Sequence, residues 1–297
     1  MKRYWIGLMG VLMTSAPIYA QRALTYTQYI ENPVGLNPAT SLMRPVGEVS
    51  VIGRRQWVGL EGAPTVYWGS AHMGITRIAS TVGLNVKHES MGVEDNLEAS
   101  AFFAKSVRIS ETEYIGLSLN LGVNYVDGRF SSLDPADPAF QEDVKETDVM
   151  TGFGVVVYSP DRYYVGLSMP RLMLSKLGVG GRKQYDFRNQ YHLIAGAVFP
   201  LGVDFHVRPS LLVTYAESLR PQWDIGAMAF VKRAFGVGLN VRTYGELAAM
   251  AQLNFSGFGI GYSYQFGTRN EPLNRQINNT THEIGLRYQF GGQADLL

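Results

Sequence analysis

Residues 253–267 read LNFSGFGIGYSYQFG, and from Phe258 every second position is large and apolar: Phe258, Ile260, Tyr262, Tyr264 and Phe266. Gly259, Gly261, Ser263 and Gln265 lie between them. A period of two marks a strand with two unlike faces. Residues 115–125 repeat it, with Ile115, Leu117, Leu119, Leu121, Val123 and Tyr125 against Gly116, Ser118, Asn120, Gly122 and Asn124. So do 235–243, with Phe235, Val237, Leu239 and Val241 on one face, and 282–290, with Ile284, Leu286, Tyr288 and Phe290. In a soluble sheet the large side chains would face a core. In a membrane they would face lipid.

Strand length favours lipid. Runs of about 9–11 residues cross a bilayer when tilted, and strands satisfy every backbone group in hydrocarbon by closing into a barrel. The pattern predicts an all-β fold: a transmembrane antiparallel up-and-down β-barrel of about 14 strands. They are placed near 46–56, 64–75, 78–88, 97–108, 113–126, 148–158, 162–169, 189–200, 203–215, 222–231, 234–243, 245–255, 257–267 and 281–290. Connection lengths then sort by parity. One series is brief, at Thr76-Arg77, Ile109–Thr112, Ser159–Asp161, Leu201-Gly202, Lys232-Arg233 and Ser256; the other holds the long loops 127–147, 170–188 and 268–280. That sorting matches short periplasmic turns and longer outer loops, with a periplasmic N-terminus. The uncharged run Leu247–Thr268 is long enough for a membrane helix. Its interspersed Gln, Asn, Ser and Gly argue instead for two strands turning at Ser256-Gly257.

Composition agrees. Charged residues make up 17%, below the usual ~25%. The net charge of +1 gives no basic field for nucleic acid. Without cysteine there are no disulfides, no thiolate catalysis and no Cys-type zinc site. MKR followed by an apolar stretch and Tyr19-Ala20 reads as a signal peptide over 1–20. Residues 21–45 contain Asn32-Pro33 and Asn37-Pro38 and read as a turn-rich periplasmic or plug segment, with the outer-membrane barrel over 46–297.

Catalytic motifs are sparse. His282-Glu283 lacks the second His of a metalloprotease helix, and no G-x-S-x-G elbow occurs. The five histidines read as interfacial or lumenal side chains. No enzyme, cofactor or metal is expected. Asp134, Asp137, Glu142, Asp143 and Glu146 make 127–147 acidic, which reads as solvated surface, although such oxygens also suit calcium. Leu172, Met173, Leu174 and Leu177 are apolar in a long connection and would fold over the barrel mouth or meet a protein.

YTQYIENPVGLNPAT (26–40) followed by RRQWVGLEGAP (54–64) resembles the PorP/SprF family of type IX secretion membrane proteins. The matching residues are Gln28, Tyr29, Asn32, Pro33, Asn37, Pro38 and Ala39, then Arg55, Gln56, Trp57, Val58, Gly59, Gly62, Ala63 and Pro64. VGLSMPRLM (165–173), RPSLLVTY (208–215), QWDIGAMAFV (222–231), FGVGLNVR (235–242) and THEIGLRYQF (281–290) extend the likeness. Arg55 stands where Lys is usual, and the aromatic that often follows NPA is absent. The resemblance implies a Bacteroidota outer-membrane barrel that supports secretion or surface anchoring of proteins with type IX C-terminal sorting domains, such as gliding adhesins. Its implied partners are that substrate, the translocon or periplasmic ring lipoprotein components, and outer-membrane lipid. Asn32, Asn37, Pro38, Ala39, Arg55, Gln56, Trp57, Gly59, Gly62, Ala63 and Pro64, with Leu172, Met173 and Leu174, are the candidate contact residues. The NPA element also resembles the N-terminal hatch of fatty-acid transporter barrels, so a channel for a small hydrophobic solute is the alternative.

Overall fold

The computed structural model describes residues 26–133, 137, 142–178, 188–243, 246–266 and 280–291. The leader expected over 1–20, and residues 268–279 of the third long connection, lie outside the described residues. Fourteen antiparallel strands form one closed sheet. They are β1 (Gly47–Arg55), β2 (Thr65–Ile75), β3 (Ser80–Met91), β4 (Glu94–Arg108), β5 (Tyr114–Gly128), β6 (Val144–Ser159) and β7 (Tyr163–Met173). Then follow β8 (Gln190–Ala197, continued by Phe199–Pro200), β9 (Phe205–Ala216), β10 (Gln222–Val231), β11 (Phe235–Arg242), β12 (Glu246–Phe255), β13 (Phe258–Phe266) and β14 (Thr281–Phe290). Each strand pairs with its sequence neighbours, and β1 closes on β14 from Gly47↔Phe290 to Arg55↔His282.

The alternation places the faces as the sequence predicts. Leu117, Leu119 and Leu121 are 59%, 64% and 60% exposed on the outside, while Ser118 and Asn120 between them are buried within. Apolar side chains this exposed, around a whole sheet, need a hydrocarbon surround. Two girdles bound the band. At the end with the long connections stand Tyr67, Tyr191, Tyr215, Trp223 and Tyr264; at the other stand Phe199, Phe205, Phe235, Phe255, Phe258, Tyr288 and Phe290. No helix among the described residues is long and apolar enough to cross a membrane.

Strand edges differ from expectation on one side. β3 runs to Met91 and β4 starts at Glu94, so the connection expected over 89–96 is a turn at Gly92-Val93. β5 reaches Gly128 and β6 begins at Val144, and these ends pair, so both ends of 127–147 are sheet. β7 likewise continues to Met173. These extensions project beyond the apolar band, where strands need no lipid-facing alternation and the period-two signal fades. On the other side Ser256 and Gly257 both take positive φ, 47° and 83°, in the expected tight turn between β12 and β13. Two left-handed residues match the twist of a hairpin.

Candidate functional site

The lumen is occupied by the chain itself. Residues 26–44 are all buried, in three short 3-10 turns at Thr27–Ile30, Pro33–Gly35 and Pro38–Met43. Each proline opens a turn whose preceding Asn lies outside the helical region, as proline favours, with Asn37 fully extended. Polar side chains on this segment meet polar side chains on the inward face of the wall, so buried donors find acceptors.

Five anchorages hold it. Near the outer end of β14, Glu283 accepts the backbone N–H groups of Thr27 at 3.0 Å and Gln28 at 2.7 Å, and Arg54 Nη1 lies 3.5 Å from the same carboxylate. Further in, Glu31 bridges Arg208 (2.8 Å), Arg287 (3.2 Å) and Gln252 Nε2 (2.7 Å). Asn32 Nδ2 donates to Ser50 Oγ at 2.6 Å. Asn37 Nδ2 donates to the carbonyls of Val155 and Leu167, and its Oδ1 accepts the Ala39 N–H, which caps the third turn. At the inner end Ser41 meets Thr81 at 2.5 Å, and Arg44 pairs with Glu48 at 3.8 Å.

Glycines on the wall make room for this. A Cβ on Gly261 or Gly285, which pair across β13 and β14, would lie 2.1 Å or 2.5 Å from Gln28 Oε1. A Cβ on Gly154 or Gly166 would collide with the Asn37 amide at 2.1 Å or 2.7 Å. Apolar residues of the segment, Tyr29, Ile30, Leu36, Ala39 and Leu42, pack with Val156, Ile194, Leu212 and Phe230 in one core. Cavities left along this interface are small, about 20, 10 and 40 Å³. Such volumes admit a few waters.

The predicted residues separate into three places. Asn32, Asn37, Pro38 and Ala39 are buried inside the barrel. Arg55 ends β1, and Gln56, Trp57, Gly59, Gly62, Ala63 and Pro64 form the outer hairpin between β1 and β2. Backbone bonds stiffen that hairpin: Gln56 to Pro64, Leu60 to Trp57 and Ala63 to Leu60. Val58 N–H reaches Thr280 and Gly92 N–H reaches Gly62, so the hairpin is tied to both neighbouring connections. Trp57 takes a positive φ of 46° and is exposed, as is Leu60. Left-handed backbone at a bulky residue costs energy that its surroundings must impose. Leu172, Met173 and Leu174 lie at the outer end of β7 and just beyond it. Met173 is buried with Val126, Val144 and Met150 in a second small core, while Leu177 is exposed.

The following turn, Leu174–Leu177, is clasped to the next connection. Lys176 Nζ lies 2.9 Å from Glu217, which also accepts the Asn189 amide at 2.8 Å. Burial alone raises the Glu217 pKa, but these bonds from Lys176 and Asn189 outweigh it and hold the carboxyl below its ordinary value. Of the acidic loop residues, Asp143 accepts the Ser131 N–H, and Asp134 lies outside the described residues. No grouping of three or more His, Asp or Glu among the described residues is placed to hold a metal ion.

Sequence reasoning missed Gln28 as a ligand of Glu283, and missed the cluster that Glu31 forms with Arg208, Gln252 and Arg287. A signal existed. Arg208, Glu283 and Arg287 stand in the inward phase of their strands, next to small residues such as Ser210 and Gly285, and an inward charge needs a partner of opposite sign.

No curated protein matches the chain. Among solved structures, a deletion mutant of the TodX monoaromatic hydrocarbon channel aligns at 9% identity, over 90% of this chain and 94% of that one, with a TM-score of 0.50. The Pseudomonas putida toluene transporter TodX aligns at 9% identity over the same shares with a TM-score of 0.48. CdiB from Acinetobacter baumannii aligns at 7% identity and a TM-score of 0.43, over 82% of this chain, which spans 60% of that protein. At these identities the likeness is one of barrel fold. A family model described as type IX secretion system membrane protein PorP/SprF matches residues 18–288. With that match across nearly the whole sequence, and an outer-membrane barrel built around the segment that carries both Asn-Pro pairs, the chain belongs to the PorP/SprF family of type IX secretion system membrane proteins.

Proposed function

We propose that this protein is a non-enzymatic barrel of the type IX secretion system that supports secretion or surface anchoring of a protein with a type IX C-terminal domain. The observation behind this reading is the lumen filled by residues 26–44, anchored from Glu283 to Glu48. A barrel closed by hydrogen bonds and ion pairs offers its rims, rather than a pore, as working surfaces. The outer hairpin 56–64 is the rim element best suited to contact a folded partner. It is fixed at both sides and presents Trp57 and Leu60 to solvent. Preorganised aromatic anchors of this kind are where binding energy concentrates. Met173 is packed inside, so the apolar residues beyond β7 contribute a smaller surface than their sequence promises.

The test is surface display of type IX substrates in cells carrying Trp57→Ala with Leu60→Asp. The expected result is a folded barrel at normal abundance with one substrate lost from the surface. Full display of every substrate would overturn the role given to the hairpin. Solute-dependent conductance of the wild-type barrel in planar bilayers would replace the reading with the hydrophobic-solute channel.

A further inference from the structure

The outward face between β13 and β2 ends, at the outer rim, in a cluster unlike the rest of the girdle. Arg55, the last residue of β1, stands opposite His282 of β14, and His282 stands opposite Tyr264 of β13. Alternation puts all three outside, since their neighbours Arg54 and Glu283 are buried within. The Tyr262 hydroxyl lies 2.7 Å from His282 Nδ1, and the Tyr264 ring meets the imidazole edge-on at 5.1 Å. The imidazole is thereby oriented, with Nε2 as its free nitrogen.

Charge and depth single out this place. Among the described residues no carboxylate pairs with Arg55, whereas the outward His88 on β3 has Asp95 at 3.4 Å. A cation at the edge of hydrocarbon is stabilised by an anion that meets it there. The strands here are short: nine residues in β1, nine in β13 and ten in β14. Tilted by about 40°, such strands span roughly the 25 Å apolar band of an outer-membrane barrel. Their outer ends therefore lie at headgroup level. Below them Val51, Ile260, Ile284 and Leu286 are exposed, a surface for acyl chains.

We propose that Arg55 and His282, flanked by Tyr264, form a site for the phosphate group of an outer-leaflet lipid. The guanidinium fork takes two phosphate oxygens, which a point charge cannot do with the same geometry. The free Nε2 of His282 takes a further oxygen, and the acyl chains lie along Val51 and Ile284. The site requires only the barrel in its membrane and stands apart from any choice of secretion partner.

The experiment compares delipidated wild type with Arg55→Ala/His282→Ala by native mass spectrometry, titrated with phosphatidic acid, with diacylglycerol of the same chains, and with inorganic phosphate. Heat-dependent mobility on gels confirms that each barrel is folded, and Arg55→Lys keeps the charge without the fork should the double variant fail to fold. The expected result is one phosphatidic acid retained by wild type and at least tenfold weaker retention by the double variant, or weaker retention by Arg55→Lys. Diacylglycerol is not retained, and Arg129→Ala, a change at another exposed cation, has no effect. Equal retention by wild type and both Arg55 variants overturns the proposal. Displacement of the lipid by inorganic phosphate at equal concentration overturns the assignment to lipid and leaves a free-anion site.

Discussion

Gln28 donates its backbone N–H to Glu283 Oε1 at 2.7 Å and its side-chain Nε2–H to the Glu283 carbonyl at 3.2 Å. Two residues separated by most of the chain thus clasp each other twice, and Thr27 N–H takes the other carboxylate oxygen at 3.0 Å. Removing Glu283 leaves two buried N–H groups without an acceptor and takes the carboxylate from Arg54. Glu283→Ala is expected to destabilise the barrel by about 3 kcal/mol, and to make residues 26–44 accessible to protease. The midpoint of unfolding in denaturant, read by heat-dependent gel mobility, checks the first; limited proteolysis checks the second. An unchanged midpoint with a protected segment would contradict the anchoring role.

The notch made by Gly261 and Gly285 admits the Gln28 side chain. Gly285→Ala pushes the Gln28 amide from its place and costs about 1 kcal/mol, the worth of the hydrogen bond it breaks. Gly285→Leu cannot share the space at all and is expected to displace the segment. Ion conductance in planar bilayers should rise in the order wild type, Ala, Leu. Equal conductance in all three would show that the notch is not what seats the segment.

Asn37 is fully buried, and its amide donates to two wall carbonyls while its oxygen caps the third turn. Asn37→Asp keeps the shape and the cap, yet sets an acceptor against the carbonyls of Val155 and Leu167. It should be at least as destabilising as Asn37→Ala, each by about 1–3 kcal/mol. Thermal melting of both variants decides it. An Asp variant as stable as wild type would mean the two carbonyl contacts contribute nothing.

The Glu217 clasp is expected to open in acid. Its carboxyl is held below the ordinary glutamate range when folded. Its contribution is therefore fully present above the unfolded value of about 4.3 and is lost as pH falls through the lower folded one. A spin label near Leu177 should gain mobility over that acid window in wild type. Glu217→Gln should already be mobile at neutral pH. A label equally immobile in both proteins at every pH would remove the clasp.

Much of the fold was legible because its signal is local. Leu117 to Tyr125 and Phe258 to Phe266 each declare two faces within ten residues, and their neighbours in the sheet are their neighbours in sequence. Legibility failed where strands leave the membrane. Glu94–Asn96 and Val144–Thr147 pair as firmly as the rest, but their outward faces lie beyond the lipid and need no apolar alternation. The candidate site was legible only in part. The Asn-Pro pairs marked 26–40 as structured without saying where it lies, and the stretch 54–64 was visible only as a run that resembles the family. That Trp57 would sit in left-handed backbone while Met173 turned inward was not visible.

Sequence alone determined the two-faced strands, their closure into a membrane barrel and the end at which the long connections gather, since each follows from side-chain period and bilayer thickness. Tertiary structure alone decided that residues 26–44 fill the lumen, and that Glu31 meets Arg208, Gln252 and Arg287. Polar side chains on three different strands, two of them charged, become neighbours when the cylinder closes around a fourth segment, and no periodicity along a chain encodes which inward residue will face which.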